Sequence, residues 1–429
     1  MRYISRGMIP ENHDVRRPKF KARAVSLTSS FVCMVTLGAW LCAALTPIPA
    51  SAGERSPSEP GNDQSVTGTS TPSRPEPAAQ EKPLWHYGGF IDLGYSLDFN
   101  FPDNHLFRDR STTPRVNELD LNMAAVYVRK DATESSRWGT EWLIQAGEDS
   151  KAFGFATSLP KVSGSDVWRH FGRANVSYVA PAGNGLTLQA GLFNSFIGYE
   201  SLYAKDNGNY TRAWIADYSP YLMFGVNAVY AFNDQWTGAF FVINDYFHLE
   251  NSNSLPSYGG QIQYKPALAW TVKETMYYGP DQADTSLEFW RFFSDSIVEW
   301  KGDEVTVGFD YQIGTQKNAS APGNPRDFYT GATIETRWHI AGPWTVSVRP
   351  EFFWDRNGLM TGSEQFIKAI TTTAEYRLPY LWTNTICRLE YRYDDSTGAG
   401  GGFYKGTNNL LTPGQQMLIF ALIGTFDSP

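Results

Sequence analysis

Between residues 85 and 100 the chain reads WHYGGFIDLGYSLDFN, and its positions sort by parity. Odd positions hold Trp85, Tyr87, Gly89, Ile91, Leu93, Tyr95, Leu97 and Phe99, while even positions hold His86, Gly88, Phe90, Asp92, Gly94, Ser96, Asp98 and Asn100. Side chains of a β-strand point alternately to opposite faces, so the stretch predicts a strand with one apolar, aromatic-ended face and one small or polar face. Soluble sheets use strands of about 5 to 6 residues, whereas a tilted membrane strand takes about 9 to 11 plus extensions. The segment reads as the first strand of a barrel whose polar face, with Gly88 and Gly94, lines a crowded lumen.

The alternation recurs over 116–130, 138–150, 167–180, 186–196, 221–232, 236–248, 257–265, 268–279, 289–300, 304–316, 328–340, 344–356, 366–378, 381–394 and 417–426. This predicts an all-β fold, a transmembrane antiparallel β-barrel of about sixteen strands, even in number as single-chain bacterial barrels require. In 116–130, Leu119, Leu121, Met123, Ala125 and Tyr127 are expected to share the apolar face, opposite Glu118, Asp120, Asn122 and Ala124. Long connections (101–115, 151–166, 197–220, 280–288, 317–327, 357–365, 395–416, with 249–256 intermediate) alternate with short ones such as Asn233-Asp234-Gln235, Pro266-Ala267, Lys301-Gly302-Asp303 and Ala341-Gly342-Pro343. Outer-membrane barrels place long loops outside and short turns in the periplasm, so both termini are expected in the periplasm. A propeller or soluble sandwich has no reason to keep that alternation. After residue 52 no long segment repeats apolar residues at helical spacing.

Composition sharpens this picture. Aromatic residues make up 15% of the 429 residues, which suits girdles at two membrane interfaces. The net charge is −8, but the first 52 residues carry seven Arg and Lys against Glu11 and Asp14, and removing that +5 leaves −13. Such an acidic balance argues against nucleic acid as a partner and favours cations in a pore. Residues 1–52 read as a signal peptide: a basic region from Arg16 to Arg23, an apolar run, and the small-x-small site Ala50-Ser51-Ala52. Residues 53–84, rich in Pro, Ser, Thr, Gly and Glu, read as a disordered periplasmic linker, leaving 85–429 for the barrel. Cys33 and Cys42 fall in the signal, so Cys387 alone remains, with no disulfide framework or thiolate metal site.

By residue 186 the chain also invites comparison. LQAGLFNSFIGYESLYAKDNGNYTRAW, YLMFGVNAVYAFNDQWTGAFFVINDY and YGGQIQYKPALAWTVKETMYYGPD, followed by RPEFFWDRNG and CRLEYRYDDSTG, resemble in their order the OmpL-like β-barrel porins of bacterial outer membranes. The resemblance covers roughly residue 87 to the C-terminus and implies a porin-like pore with no catalytic residues to carry over. One departure is that Phe426 is followed by Asp427-Ser428-Pro429 rather than ending the chain.

Two constellations are candidates for the chemistry of a pore. Loop 197–220 alternates in sign at Glu200, Lys205, Asp206, Arg212 and Asp217, among Tyr199, Tyr203, Tyr210 and Trp214. So many rings would gain little in open water, so the loop is expected to fold inward as the constriction, sorting solutes by size and charge. The second is a ladder of opposite signs on late strands: Glu335, Arg337, Arg349, Glu351, Arg388, Glu390, Arg392 and Asp394. An Arg or Lys facing lipid at the midplane costs about 2–4 kcal/mol, so the ladder is expected to face the lumen, as wall-stiffening ion pairs rather than acid/base groups. The histidines stand singly, without metal spacing, and no cofactor is expected.

The leading expectation is an outer-membrane channel for passive diffusion of small hydrophilic solutes, with membrane lipid and those solutes as partners and a homo-oligomer left open. The alternative is a structural or adhesive barrel whose lumen loop 197–220 plugs. A lipid-acting barrel enzyme is a distant third.

Overall fold

The computed structural model describes residues 85–428 except 153–164, 250–252, 254, 283–284, 286–287 and 381–382. The expected signal peptide and linker lie outside the described residues. The strands are β1 (Trp85–Asp98), β2 (Leu119–Lys130), β3 (Trp138–Ala146), β4 (Phe171–Ala180), β5 (Leu186–Asn194), β6 (Leu222–Ala231), β7 (Trp236–Ile243), β8 (Ser257–Tyr264) and β9 (Trp270–Gly279). They continue with β10 (Arg291–Lys301), β11 (Val305–Lys317), β12 (Arg326–Ala341), β13 (Trp344–Asp355), β14 (Gln365–Tyr380), β15 (Thr383–Thr397), the small hairpin β16 (Phe403–Lys405) and β17 (Leu410–Thr412), and β18 (Gly414–Asp427).

Sixteen of these, all but the hairpin, close into one antiparallel barrel, each pairing with its neighbours and β18 returning to β1. Closure leaves no unpaired edge, so every strand's backbone donors and acceptors can be met within the wall. The expected strand number and order hold. Some ends differ: 3-10 turns at Glu148–Ala152 and Ser165–His170 take the place of strand after β3 and before β4, which begins at Phe171, and β7 ends at Ile243 rather than at 248.

Parity assigns the faces. In β1 the even positions from Gly88 onward are buried inside, while Trp85, Tyr87 and Ile91 are exposed outside. The expected face of β2 is corrected halfway along the strand. Asp92 pairs with Met123 and Leu93 with Leu121, leaving Asn122 as an extra residue, a β-bulge. The extra residue shifts the phase, so Met123 and Ala125 turn inward, Tyr127 reaches Asp427 at 2.6 Å, and Val126 and Val128 face out. A uniform period of two cannot foresee that insertion.

The last strand has apolar side chains on both faces. Leu418, Phe420 and Leu422 point outward, while Met417, Ile419, Ala421 and Ile423 are buried inside. With Phe90, Met123, Ala125 and Leu143 they belong to an apolar core within the barrel, which is where the loop after β5 packs.

Candidate functional site

Loop 197–220 lies inside the barrel. It contains a 3-10 turn at Ala204–Asp206 and one helical turn at Trp214–Asp217. Ile197, Leu202, Tyr203, Tyr210, Trp214 and Ile215 are all buried. Burial of this apolar surface drives the loop inward. Tyr203 meets Phe90 edge-to-face at 5.2 Å and donates to Gln145 of β3 at 2.8 Å.

The wall is carved to receive it. At Gly94, Gly172, Gly308 and Gly331, on β1, β4, β11 and β12, a Cβ would fall within 2.6 Å of Tyr210, Tyr203, Tyr199 and Ile215 respectively. Only glycine leaves room for those side chains at these places.

The late strands supply hydrogen bonds rather than an open charged surface. Glu390 of β15 accepts from the backbone of Tyr210 at 2.5 Å and of Thr211 at 3.0 Å. Glu351 of β13 accepts from the Trp214 amide, and Asp394 from the Trp214 indole at 2.7 Å. Arg349 donates to the Thr211 carbonyl at 2.7 Å and pairs with Glu200 and Glu351. Arg392 pairs with Asp394 at 2.8 Å and Glu351 at 3.2 Å and donates to the Arg212 carbonyl. Arg388 pairs with Glu375 and donates to the carbonyls of Ala204 and Asn207, both at 2.7 Å. A loop lacks the internal ladder of a helix or strand, so its backbone groups need such partners once buried.

The loop's first residues attach to the opposite side. The Phe196 carbonyl accepts from Gln261 of β8 and Thr275 of β9. The amides of Gly198 and Tyr199 donate to Asp295 of β10 and Asp310 of β11 at 2.9 and 3.0 Å, and the Tyr199 hydroxyl donates to Glu299. Asp295 and Asp310, which bond the loop directly, and Glu375, which holds Arg388, lie outside the sites expected from the sequence. The signal that marks them is inward parity, Asp295 on β10, Asp310 on β11 and Glu375 on β14.

The five charged loop residues divide into two groups. Glu200 pairs with Arg349, Arg212 with Asp149 at 2.8 Å, and Asp217 with Arg110 at 2.8 Å, all with side chains essentially sealed from solvent. Burial pushes Asp149, in the short turn after β3, up to about 7, with Arg212 pulling the other way. Only Lys205 and Asp206 keep open side chains, 25% and 46% exposed, paired with each other at 2.7 Å. The ladder divides as well. Arg349, Glu351, Arg388, Glu390, Arg392 and Asp394 are buried under the loop, Glu335 is buried beside them, and Arg337 is 38% exposed and pairs with Glu375. These residues lie on the inner side of the wall, and most of them touch protein rather than water.

Open space lies on either side of the loop. Toward the short turns, a cavity of about 340 Å³ is bounded by Tyr199, Asp206, Lys273, Glu299, Lys301 and Arg337. Toward the long loops, another of about 390 Å³ is bounded by Phe107, Arg108, Arg110, Tyr218 and Tyr404. Across from the ladder, the inward positions Thr187, Gln189, Thr237, Ala239, Gln261, Gln263, Thr271 and Lys273 of β5 and β7 to β9 stay half-exposed and mostly neutral. Among the described residues no group of three or more His, Cys, Asp or Glu could hold a metal ion.

A family model described as "Putative beta-barrel porin-2, OmpL-like" matches residues 85–426. By structure the chain is similar to an anion-selective porin from Comamonas acidovorans, with TM-score 0.50 and 9% identity over 80% of this chain and 99% of that one. It is also similar to the outer membrane channel DcaP of Acinetobacter baumannii, with TM-score 0.50 and 9% identity over 80% and 97%. At such identity the likeness is one of fold. Comparison with curated proteins by sequence finds no match.

Proposed function

The chain belongs to the OmpL-like β-barrel porin family, and from that premise we propose that it is a narrow channel for passive diffusion of small hydrophilic solutes, with no chemical step. Loop 197–220 is the constriction, and the aqueous path runs past it along the β5 and β7–β9 wall. The observation that carries this reading is the contrast between buried Arg349, Glu390 and Arg392 and half-exposed Gln189, Gln261 and Lys273. In this reading residues 1–52 direct export, 53–84 form a periplasmic tail, both termini are periplasmic, and the long loops face outward.

Purified protein in planar bilayers should give small, discrete conductance steps. A folded barrel that never conducts would remove the proposal. A second reading, a plugged barrel of structural role, draws support from the breadth of the loop's attachments, which reach β1 through Tyr210 and Asp92, β10 through Gly198, and β15 through Glu390. Deleting the loop separates the two: a silent wild type that conducts after deletion is plugged, whereas a porin conducts before it and more after.

A further inference from the structure

One cation of the inner wall stands apart from the rest. Lys273 of β9 is half-buried and borders the cavity of about 340 Å³ on the short-turn side of the loop. Among the described residues no carboxylate lies within ion-pairing distance of its amine and nothing accepts a hydrogen bond from it. Arg337, Arg349, Arg388, Arg392 and Lys301, by contrast, each hold a carboxylate at 3.2 Å or less. The carboxylates around Lys273 are already engaged. Glu299 accepts from the Tyr199 hydroxyl at 2.8 Å and pairs with Lys301 at 3.0 Å. Asp295 is sealed, accepting from the Gly198 amide and sharing a hydrogen bond with Asp310, and Glu335 is buried. Asp206 pairs with Lys205 at 2.7 Å. Neutral donors are free instead: Gln263 stands directly across the ladder from Lys273, and Thr271 is the next inward position of β9. Neither side chain has a hydrogen-bond partner among the described residues.

We propose that Lys273, with Gln263 and Thr271, is a binding site for a small monocarboxylate, which names the solute class of the proposed channel. An ammonium taken partly out of water without a counter-ion is under-satisfied, and a solute carboxylate supplies both the missing charge and the missing acceptors. The asymmetry decides the sign: an anion entering the cavity meets free donors, while a cation meets carboxylates that already accept from protein. It also decides the valence. Lysine is one point charge, and its neighbours Lys301 and Arg337 are committed to Glu299 and Glu375, so a single negative charge is matched and a second is not. The cavity of about 340 Å³ lies at the small end of ligand pockets, which run from about 300 to 1,000 Å³. The cation preference expected from net charge is a long-range effect, screened beyond about 10 Å, whereas this contact is direct. The site rests on the wall that the channel reading leaves open, but binding does not require passage.

The test uses the full-length protein in detergent, with lactate as the probe and glycerol, ethanolamine and sulfate as neutral, cationic and divalent competitors. Saturation-transfer NMR should show saturable lactate binding that glycerol and ethanolamine do not displace and sulfate displaces only weakly. Lys273→Met should lower lactate affinity roughly tenfold, the scale of one charge-assisted hydrogen bond. Lys273→Arg should keep most of that affinity, and the heat-modifiable gel shift should stay unchanged in both variants. If Lys273→Met does not fold, Lys273→Gln and the competitor series still decide. Conductance in planar bilayers is measured on the same samples. Lactate binding in a barrel that never conducts removes the channel reading and keeps the site, whereas conduction without lactate binding removes the site and keeps the channel. Displacement by ethanolamine, tighter binding of sulfate than of lactate, or an affinity indifferent to Lys273→Met would each overturn the proposal.

Discussion

Two stretches of the inner wall make opposite use of polar residues. On β13 to β15, Arg349, Glu351, Glu390, Arg392 and Asp394 are charged and sealed, because the loop's backbone lies on them. On β5 and β7 to β9, Thr187, Gln189, Thr237, Gln261 and Gln263 are neutral and partly open. On the proposed reading, the charge-rich wall is the structural one, and the plain wall is the one left to water. In a lumen, density of charge marks where protein must be held as readily as where solutes are sorted, since a buried backbone needs strong partners.

The comparison breaks first at Arg392. Arg392→Ala leaves Asp394 buried without its cation and Glu351 with Arg349 alone, which should cost about 3–5 kcal/mol. The heat-modifiable gel transition should fall markedly, and single-channel current should grow and become noisy as the loop loosens. A variant with wild-type melting and current would show that this wall does not hold the loop.

Glu390→Gln is milder, because the amide oxygen still accepts while the charge and one acceptor are lost; about 1–3 kcal/mol is expected. Conductance should rise less than for Arg392→Ala, with the barrel intact by circular dichroism.

Lys273→Ala on the plain wall should leave melting within about 0.5 kcal/mol, as for changes that break no buried network. It should instead move the reversal potential across a salt gradient toward cation preference. A change in melting without a change in selectivity would reverse the roles assigned to the two walls.

The smallest effect is in pH. Asp149 is raised from its ordinary 3.8 to about 7, so the folded chain holds a proton there that the unfolded chain has released. Its contribution to loop seating is full below the lower value and is lost as pH rises through about 7. Current noise should therefore increase modestly between pH 5 and 8, and Asp149→Asn should flatten that rise.

A strand's period of two is local, so the chain alone determined the barrel, its sixteen strands, the alternation of long and short connections, and the inward parity of Glu351, Glu390 and Arg392. The inward course of loop 197–220 was legible too, from aromatic residues that water would not favour. Three things required the closed structure. The bulge at Asn122 is a single inserted residue with no periodic signature. The apolar inner face of β18 has meaning only once Phe90 and Tyr203 lie against the same core. The partners of Glu200, Arg212 and Asp217 come from segments as distant as Arg349, Asp149 and Arg110. Parity says which side of a wall a charge is on; what meets it across the lumen depends on how a loop without periodicity crosses that space, and only the tertiary structure decides that.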